Sequence, residues 1–236
     1  MKMINTNKYG IIFNFLKLSN IYYWDNYTNH KFVQDISSGK LNRKLFLKYL
    51  IQDYVFLIHF SRAWALLVVK SNSINEMKIA SGTLDALVNK EIQLHIDTCK
   101  KEGITEKELF NAEEKLDNLA YTRFVLETGY SGEFLDLLVA LIPCVFGYGQ
   151  IGLHLKKEVN INNPYIDWIN AYSSDDYQNL CINIGKMLDL AIYDRLGKDF
   201  KKNIKWSKLE NTFLIATKLE INFWEMSLII QMIKKI

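Results

Sequence analysis

From Asn42 to Val69 the chain runs without a glycine or a proline, and its apolar residues Leu45, Phe46, Tyr49, Leu50, Phe56, Leu57, Phe60, Trp64 and Leu67 recur every three or four positions. Only an α-helix gathers such a series onto one face, whereas a strand needs alternation at every second residue. Asn42 supplies the side-chain oxygen that an N-cap requires. The rest of the chain permits the same reading, because 236 residues contain only two prolines, Pro143 and Pro164, and few breaks favour long helices over many short strands.

Further helices are predicted over 21–36, ended by Ser37-Ser38-Gly39; over 131–157, with Pro143 inside and kinking it; after Pro164 to Tyr172; over 174–200; and from Ser207 to about Lys235. Ser73-Ile-Asn-Glu76, Thr105-Glu-Lys-Glu108 and Ser207-Lys-Leu-Glu210 match the capping box, in which a hydroxyl and a carboxylate satisfy each other's backbone N–H groups. Gly103 and Gly129 stand where helices are expected to end. With no strand, repeat or linker evident, the chain reads as one all-α domain over residues 1–236, a bundle of seven or eight helices.

The balance of 29 basic against 26 acidic residues, a formal charge of +3, argues against nucleic acid as the partner. The Lys pairs at 100–101, 156–157, 201–202 and 234–235 are expected at helix ends, where they complement the dipole. Three cysteines without a CxxC pair fit a reducing compartment. The apolar run Ile11–Leu16 is too short for a secretory leader and no apolar run reaches the length of a membrane span, so a cytoplasmic protein with no membrane partner is expected.

Three residues stand out chemically. Cys144 lies in Leu141-Ile-Pro-Cys144-Val-Phe-Gly-Tyr148, which puts Cys144 and Tyr148 on one helix face; Gly147, Gly149 and Gly152 thin the surface there, for a ligand or for a closely packed helix. Taken alone, such a cysteine serves as a small buried hydrophobe as readily as a nucleophile. Cys99 and Cys181 sit in more polar sequence. Asp53 has Tyr49, Phe56 and Leu57 around it; facing them it needs a partner or a ligand, and facing the other way beside Gln52 it is merely solvated. Glu220, with Phe223 and Trp224 one turn on, is either a solvated helix glutamate or a carboxyl whose pKa apolar surroundings raise towards the range of proton transfer. Among the histidines, Glu91 and His95 have a spacing that can share a metal, but no second such pair accompanies them, so no metal site is assigned; His30 reads as a capping or packing residue.

In order along the chain, His30-Lys-Phe-Val33, Gly39-Lys-Leu41, Phe46-x-x-Tyr49-x-x-Gln-Asp53, Glu91-x-x-x-His95, Asn118-Leu-Ala-Tyr121-Thr, Ala140-Leu-Ile-Pro-Cys144-x-x-x-Tyr148-x-x-Ile-Gly152, Tyr165-x-x-Trp168-Ile-x-x-Tyr172 and Glu220-x-x-Phe-Trp224 resemble the TenA (thiaminase II) family from about Trp24 to Met226. The resemblance implies a haem-oxygenase-like helical fold, a homotetramer, no metal or other cofactor, and hydrolysis of a small aminopyrimidine or of thiamin to hydroxymethylpyrimidine. It implies Cys144 as nucleophile, Glu220 as the catalytic glutamate, Asp53 as the carboxylate on the aminopyrimidine edge, and Tyr121, Tyr148, Tyr172, Phe56 and Phe223 as pocket residues. Gly147 and Phe56 depart from the bulkier residue and the tyrosine found in other members, and Gly147 is expected to open space for a thiazole. An amine leaves only when protonated, a task for Glu220, and no further acid is expected to meet a thiazolium, so the aminomethylpyrimidine is expected to be used better than thiamin. A di-metal oxidase on the same fold and a non-catalytic pyrimidine-binding regulator are the alternatives.

Overall fold

The apolar stretch 134–155, the most hydrophobic of the chain, forms the helix around which the others assemble. In the computed structural model, which describes residues 8–229, the elements run α1 Ile11–Ser19, α2 Ile21–Thr28, α3 Lys31–Ser37, α4 Arg43–Lys70, α5 Ile74–Ala86, α6 Ile92–Lys101, α7 Glu106–Phe110, α8 Leu116–Ser131, α9 Phe134–Lys156, α10 Ile166–Ser173, α11 Asp175–Leu196 and α12 Ile204–Leu228. A π-helical turn, Leu87–Glu91, joins α5 to α6, and a 3₁₀ turn, Phe200–Lys202, precedes α12. No strand occurs among the described residues. Helix α9 packs against α4, α8, α10, α11 and α12, and its residues Leu137 to Ile142 are wholly excluded from solvent. By length and composition α9 could cross a membrane, contrary to the expectation that no run is long enough, but it lies buried at the centre of the bundle.

Local chemistry explains both the agreements and the departures. Asn42 caps α4 by accepting from Lys44 N–H at 2.9 Å, a contact worth about 1 kcal/mol. Thr105 and Glu108 form the full capping box. Ser73 accepts from Glu76 N–H, but Glu76 reaches past it to Asn72 N–H. The expected helix over 21–36 is two helices, because His30 takes an extended ψ of 152° and its Nδ1 accepts from Phe32 N–H. That is the capping role anticipated for it. Ser207-Lys-Leu-Glu210 is not a start: α12 already begins at Ile204, capped by Asn203, and the Ser207 hydroxyl donates to Ile204 O. The expected extension of that helix to Lys235 lies outside the described residues. Gly129 does not end α8; it lies inside it, where a Cβ would stand 2.8 Å from Leu66, so its bareness serves packing. Helix α9 opens at Phe134 rather than 131, and Pro143 interrupts neither its run nor its burial. Helix α11 stops at Gly197, whose φ of 78° is a left-handed value suited to glycine. The Lys pairs at 100–101 and 156–157 fall at C-terminal ends, whereas 201–202 lies ahead of α12 and so does not complement its dipole. The short helices α1, α2, α3, α7 and α10 account for the excess over seven or eight.

Two ties lock the N- and C-terminal halves together. The Asp189 carboxylate of α11 accepts from Ile11 and Ile12 N–H at 3.0 and 2.8 Å, capping α1 from outside the helix. Arg195 of α11 clasps Glu76 of α5 with both nitrogens, at 2.7 and 3.0 Å, the two-point geometry that guanidinium and carboxylate favour.

Candidate active site

Five helices bring the expected residues to one place: α4 carries Asp53 and Phe56, α8 carries Tyr121, α9 carries Cys144 and Tyr148, α10 carries Tyr172, and α12 carries Glu220 and Phe223; the π turn and α6 add Glu91 and His95. Between α5, α9, α10 and α11 lies a cavity of about 620 Å³, walled by Cys144, Glu91, Tyr172 and Tyr177, with Lys78, Lys90 and Asp176 towards its rim. Cys144 and Tyr172 thus line the cavity itself. Asp53, Glu220, Tyr121, Tyr148, Phe56 and Phe223 form the buried shell behind it.

Asp53 is only 4% exposed, so its carboxylate must be paired. Its Oδ2 accepts from the Tyr49 hydroxyl at 2.8 Å and lies 2.7 Å from His95 Nε2. His95 Nδ1 lies 2.8 Å from Glu91 O, so both ring nitrogens face acceptors, an arrangement that favours the doubly protonated imidazole. Burial opposes that charge, but the Asp53 hydrogen bond and the Asp53 and Glu91 charges outweigh it and raise the His95 pKa. Asp53 Oδ1 accepts no hydrogen bond among the described residues. Tyr49 is fixed in turn by Trp168 Nε1, which donates to its hydroxyl at 3.2 Å, and by the Tyr148 hydroxyl at 3.3 Å. Gln52 is buried as well, donating to Glu113 O and accepting from Lys115 N–H, so there is no solvated side of α4 here for Asp53 to occupy.

Glu220 is 2% exposed. The Tyr121 hydroxyl donates to its Oε1 at 2.8 Å. Burial pushes its pKa up to about 8, against the stabilising Tyr121 hydrogen bond; the Asp53 charge adds to the rise, and the Tyr27 hydroxyl and Cys144 thiol draw it back as nearby donors. Burial likewise drives the Cys144 thiol well above its ordinary pKa, and the Glu220, Glu91 and Asp53 charges reinforce it. In the resting site the sulfur therefore holds its proton beside a carboxyl able to take it. Cys99 and Cys181, expected in polar surroundings, are fully buried; burial raises both pKa values, that of Cys99 to about 11, and neither lines the cavity.

Aromatic rings close the shell. Phe56 lies 4.8 Å from Tyr121 and 5.6 Å from Phe223 between centroids, and Tyr148 lies 4.8 Å from Tyr172. Burial first, then the neighbouring carboxylates, keep Tyr121, Tyr148 and Tyr172 in the phenol form. Gly147 does not open space as expected: a Cβ there would stand 2.1 Å from the Tyr27 ring, which already fills the volume. Gly152 likewise admits the backbone of Tyr172 and Ser173 on α10, 2.6 and 2.8 Å from where a Cβ would lie. The α9 glycines thus serve close packing.

This geometry stands beside close relatives. Residues 21–229 match the model of the TENA/THI-4/PQQC family. The chain belongs to that family. An aminopyrimidine aminohydrolase of Halalkalibacterium halodurans is 35% identical over 206 residues, spanning 86% of this chain and 89% of that protein. One of Helicobacter pylori is 33% identical, spanning 86% and 92%. A solved structure from a Silicibacter species, described as a TenA family transcription regulator, is 52% identical with a TM-score of 0.91, covering 93% of this chain and 97% of that one. The all-helical TenA fold expected from the sequence is therefore the observed one. Glu91 and His95 are not disposed as a metal-binding pair, because both nitrogens of His95 are already engaged. Among the described residues no group of three or more His, Cys, Asp or Glu is arranged to hold a metal.

Sequence reasoning missed Tyr49 and His95 as the partners of Asp53, Tyr27 as the neighbour of Glu220, and Glu91 as a wall of the cavity. The i, i+4 spacing of Tyr49 and Asp53 could have pointed to the first, and the Glu91-x-x-x-His95 spacing, weighed only as a possible metal pair, to two more.

Proposed function

We propose that this TenA-family protein hydrolyses 4-amino-5-aminomethyl-2-methylpyrimidine, and thiamin, to 4-amino-5-hydroxymethyl-2-methylpyrimidine, with Cys144 as nucleophile and Glu220 as proton shuttle. The observation that carries the reading is the meeting of the cavity-lining Cys144 thiol with two carboxyl groups in the shell behind it: Glu220, of raised pKa, and Asp53, held by two donors with one oxygen left over. The amidine edge of an aminopyrimidine supplies the donor that Asp53 Oδ1 lacks. Tyr148, Tyr172 and the other rings give the flat heterocycle faces to stack on.

In this reading Glu220, in its ionised form, takes the thiol proton as the Cys144 sulfur bonds to the ring carbon beside the substituted one. The ring double bond shifts to the exocyclic methylene and the leaving group departs with its bonding electrons. Water then bonds to the methylene through its oxygen and releases one proton, the double bond returns to the ring, and the thiolate leaves and regains its proton from Glu220. Two lower barriers replace one high one. Glu91 supplies an acid that the sequence reading did not place near a thiazolium, so one of the two grounds for preferring the amine over thiamin falls away and both are proposed as substrates.

A second reading follows from the Silicibacter relative: a pyrimidine-binding regulator without turnover. One experiment separates the two. Purified protein is incubated with each substrate and the products are read by mass spectrometry, alongside Cys144→Ser, a near-isosteric change to a far poorer nucleophile. Catalysis predicts product with the wild type and a loss of at least about a thousandfold in kcat with Cys144→Ser. Retention of a tenth of the rate by the serine variant refutes covalent catalysis, and tight binding without product favours the regulator.

A further inference from the structure

Glu91 shares the cavity wall with Cys144, the other lining carboxylate, Asp176, being exposed to solvent, and the mechanism above leaves Glu91 without a task. Its position depends on unusual backbone. The turn Leu87–Glu91 is π-helical, a form that is rare and occurs frequently at functional sites. Its side chain is half held: the Tyr172 hydroxyl donates to Oε1 at 2.7 Å, while Oε2 has no hydrogen-bond partner among the described residues. Burial raises its pKa to about 7, and the Asp53 charge adds to this while His95 and Tyr172 act against it. With Asp53 holding the inner edge of the heterocycle and Cys144 attacking the ring carbon next to the substituted one, the exocyclic group points into the cavity that Glu91 walls.

We propose that Glu91 is a further catalytic residue that pairs with the cationic leaving group and then receives the proton of the incoming water; this rests on the aminohydrolase reading. A primary amine on a methylene is an ammonium at neutral pH, and the carboxylate offers it a charge-assisted hydrogen bond. When the C–N bond breaks, both electrons stay on nitrogen and neutral ammonia departs. Glu91 is then an unpaired carboxylate beside an electrophilic methylene. Water bonds to that carbon through oxygen and gives one proton to Glu91; the ring double bond reforms and the Cys144 thiolate leaves with its electrons. Glu91 returns the proton to ammonia, so that the ammonium-bearing substrate plus water gives alcohol plus ammonium ion. Glu220 serves the sulfur and Glu91 serves the exocyclic carbon, one carboxyl for each centre that changes bonds.

The test separates charge recognition from packing. In a Cys144→Ser background, where turnover is blocked, calorimetry measures the affinity of the aminomethyl and hydroxymethyl pyrimidines with and without Glu91→Gln. Glutamine keeps the size and the acceptor for Tyr172. The expected result is at least about tenfold weaker binding of the ammonium ligand, the loss of one charge-assisted contact, with the alcohol changed less than about twofold. With Cys144 present, Glu91→Gln is expected to lower kcat for the amine by at least about a hundredfold, the ordinary worth of a general base, and Glu91→Asp to restore part of it. Equal weakening of both ligands, or no weakening of either, overturns the proposal. Wild-type protein that binds the amine but does not turn it over rejects the aminohydrolase reading, whereas a wild type that turns it over and a Glu91→Gln variant that keeps a third of its rate reject only the role of Glu91.

Discussion

Replacing Tyr121 by phenylalanine removes one oxygen from the shell and leaves its ring on Phe56, 4.8 Å away. The lost group is the donor to Glu220 Oε1 at 2.8 Å. That hydrogen bond favours the ionised carboxylate, so its removal raises a pKa already pushed up to about 8. A hydrogen bond to a charged group is worth about 1.5–3 kcal/mol, equivalent to about one to two pH units. If Glu220 must be ionised to take the Cys144 proton, activity rises with pH through the Glu220 pKa. At pH 7 about a tenth of the wild type is in the competent form, and a one-unit rise leaves about a hundredth. The expected outcome is a kcat/KM lower by about tenfold or more at pH 7, converging on the wild type as pH climbs past the new pKa. The assay is the pH–rate profile of Tyr121→Phe against the wild type on the aminomethylpyrimidine, in buffers of constant ionic strength. An acidic limb that stays in place or moves to lower pH refutes the assignment of Glu220 as base. A deficit of the same size at every pH is one such refuting case, and leaves Tyr121 a role in substrate binding alone.

Asp53→Asn is expected to raise KM as well as lower kcat, because Asp53 contacts the ground state, whereas Glu220→Gln lowers kcat at nearly constant KM; steady-state kinetics showing the reverse pattern exchanges the two roles. Gly147→Ala places a Cβ 2.1 Å from the buried Tyr27 ring and is expected to destabilise by about 1–3 kcal/mol, as overpacking does. In calorimetric unfolding that appears as a Tm lower by roughly 2–4 °C per kcal/mol for a chain of this size, and an unchanged Tm shows that Tyr27 moves aside freely.

How much of this was legible beforehand divides along sequence distance. Cys144 and Tyr148 are one turn apart, and Glu220, Phe223 and Trp224 likewise, so their shared faces follow from helical period. The helices themselves followed from the same period, aided by Asn42 and Thr105. What stayed hidden depends on contacts across the bundle. His95 meets Asp53 from 42 residues away, and no local pattern distinguishes an imidazole fixing a carboxylate from one ligating a metal. Gly147 suggested open space because a missing side chain leaves a hole only if nothing distant fills it, and Tyr27 does. The break at His30 was not placed, although a capping or packing role was read there, because an imidazole is not among the usual N-caps that mark a helix start.

The π turn at Leu87–Glu91 also bears on how such proteins diverge. A π turn amounts to one residue inserted into an α-helix, and each helical residue turns the chain by about 100°. Deleting a single residue there would let α5 run unbroken into α6 and would swing Glu91 and His95 away from Tyr172 and Asp53 together, with every side chain of the site still encoded. The length of this short segment therefore bears on a working site independently of the residues around it: a chain that kept cysteine, glutamates and tyrosines but was one residue shorter here would lose the alignment of its parts while passing inspection residue by residue.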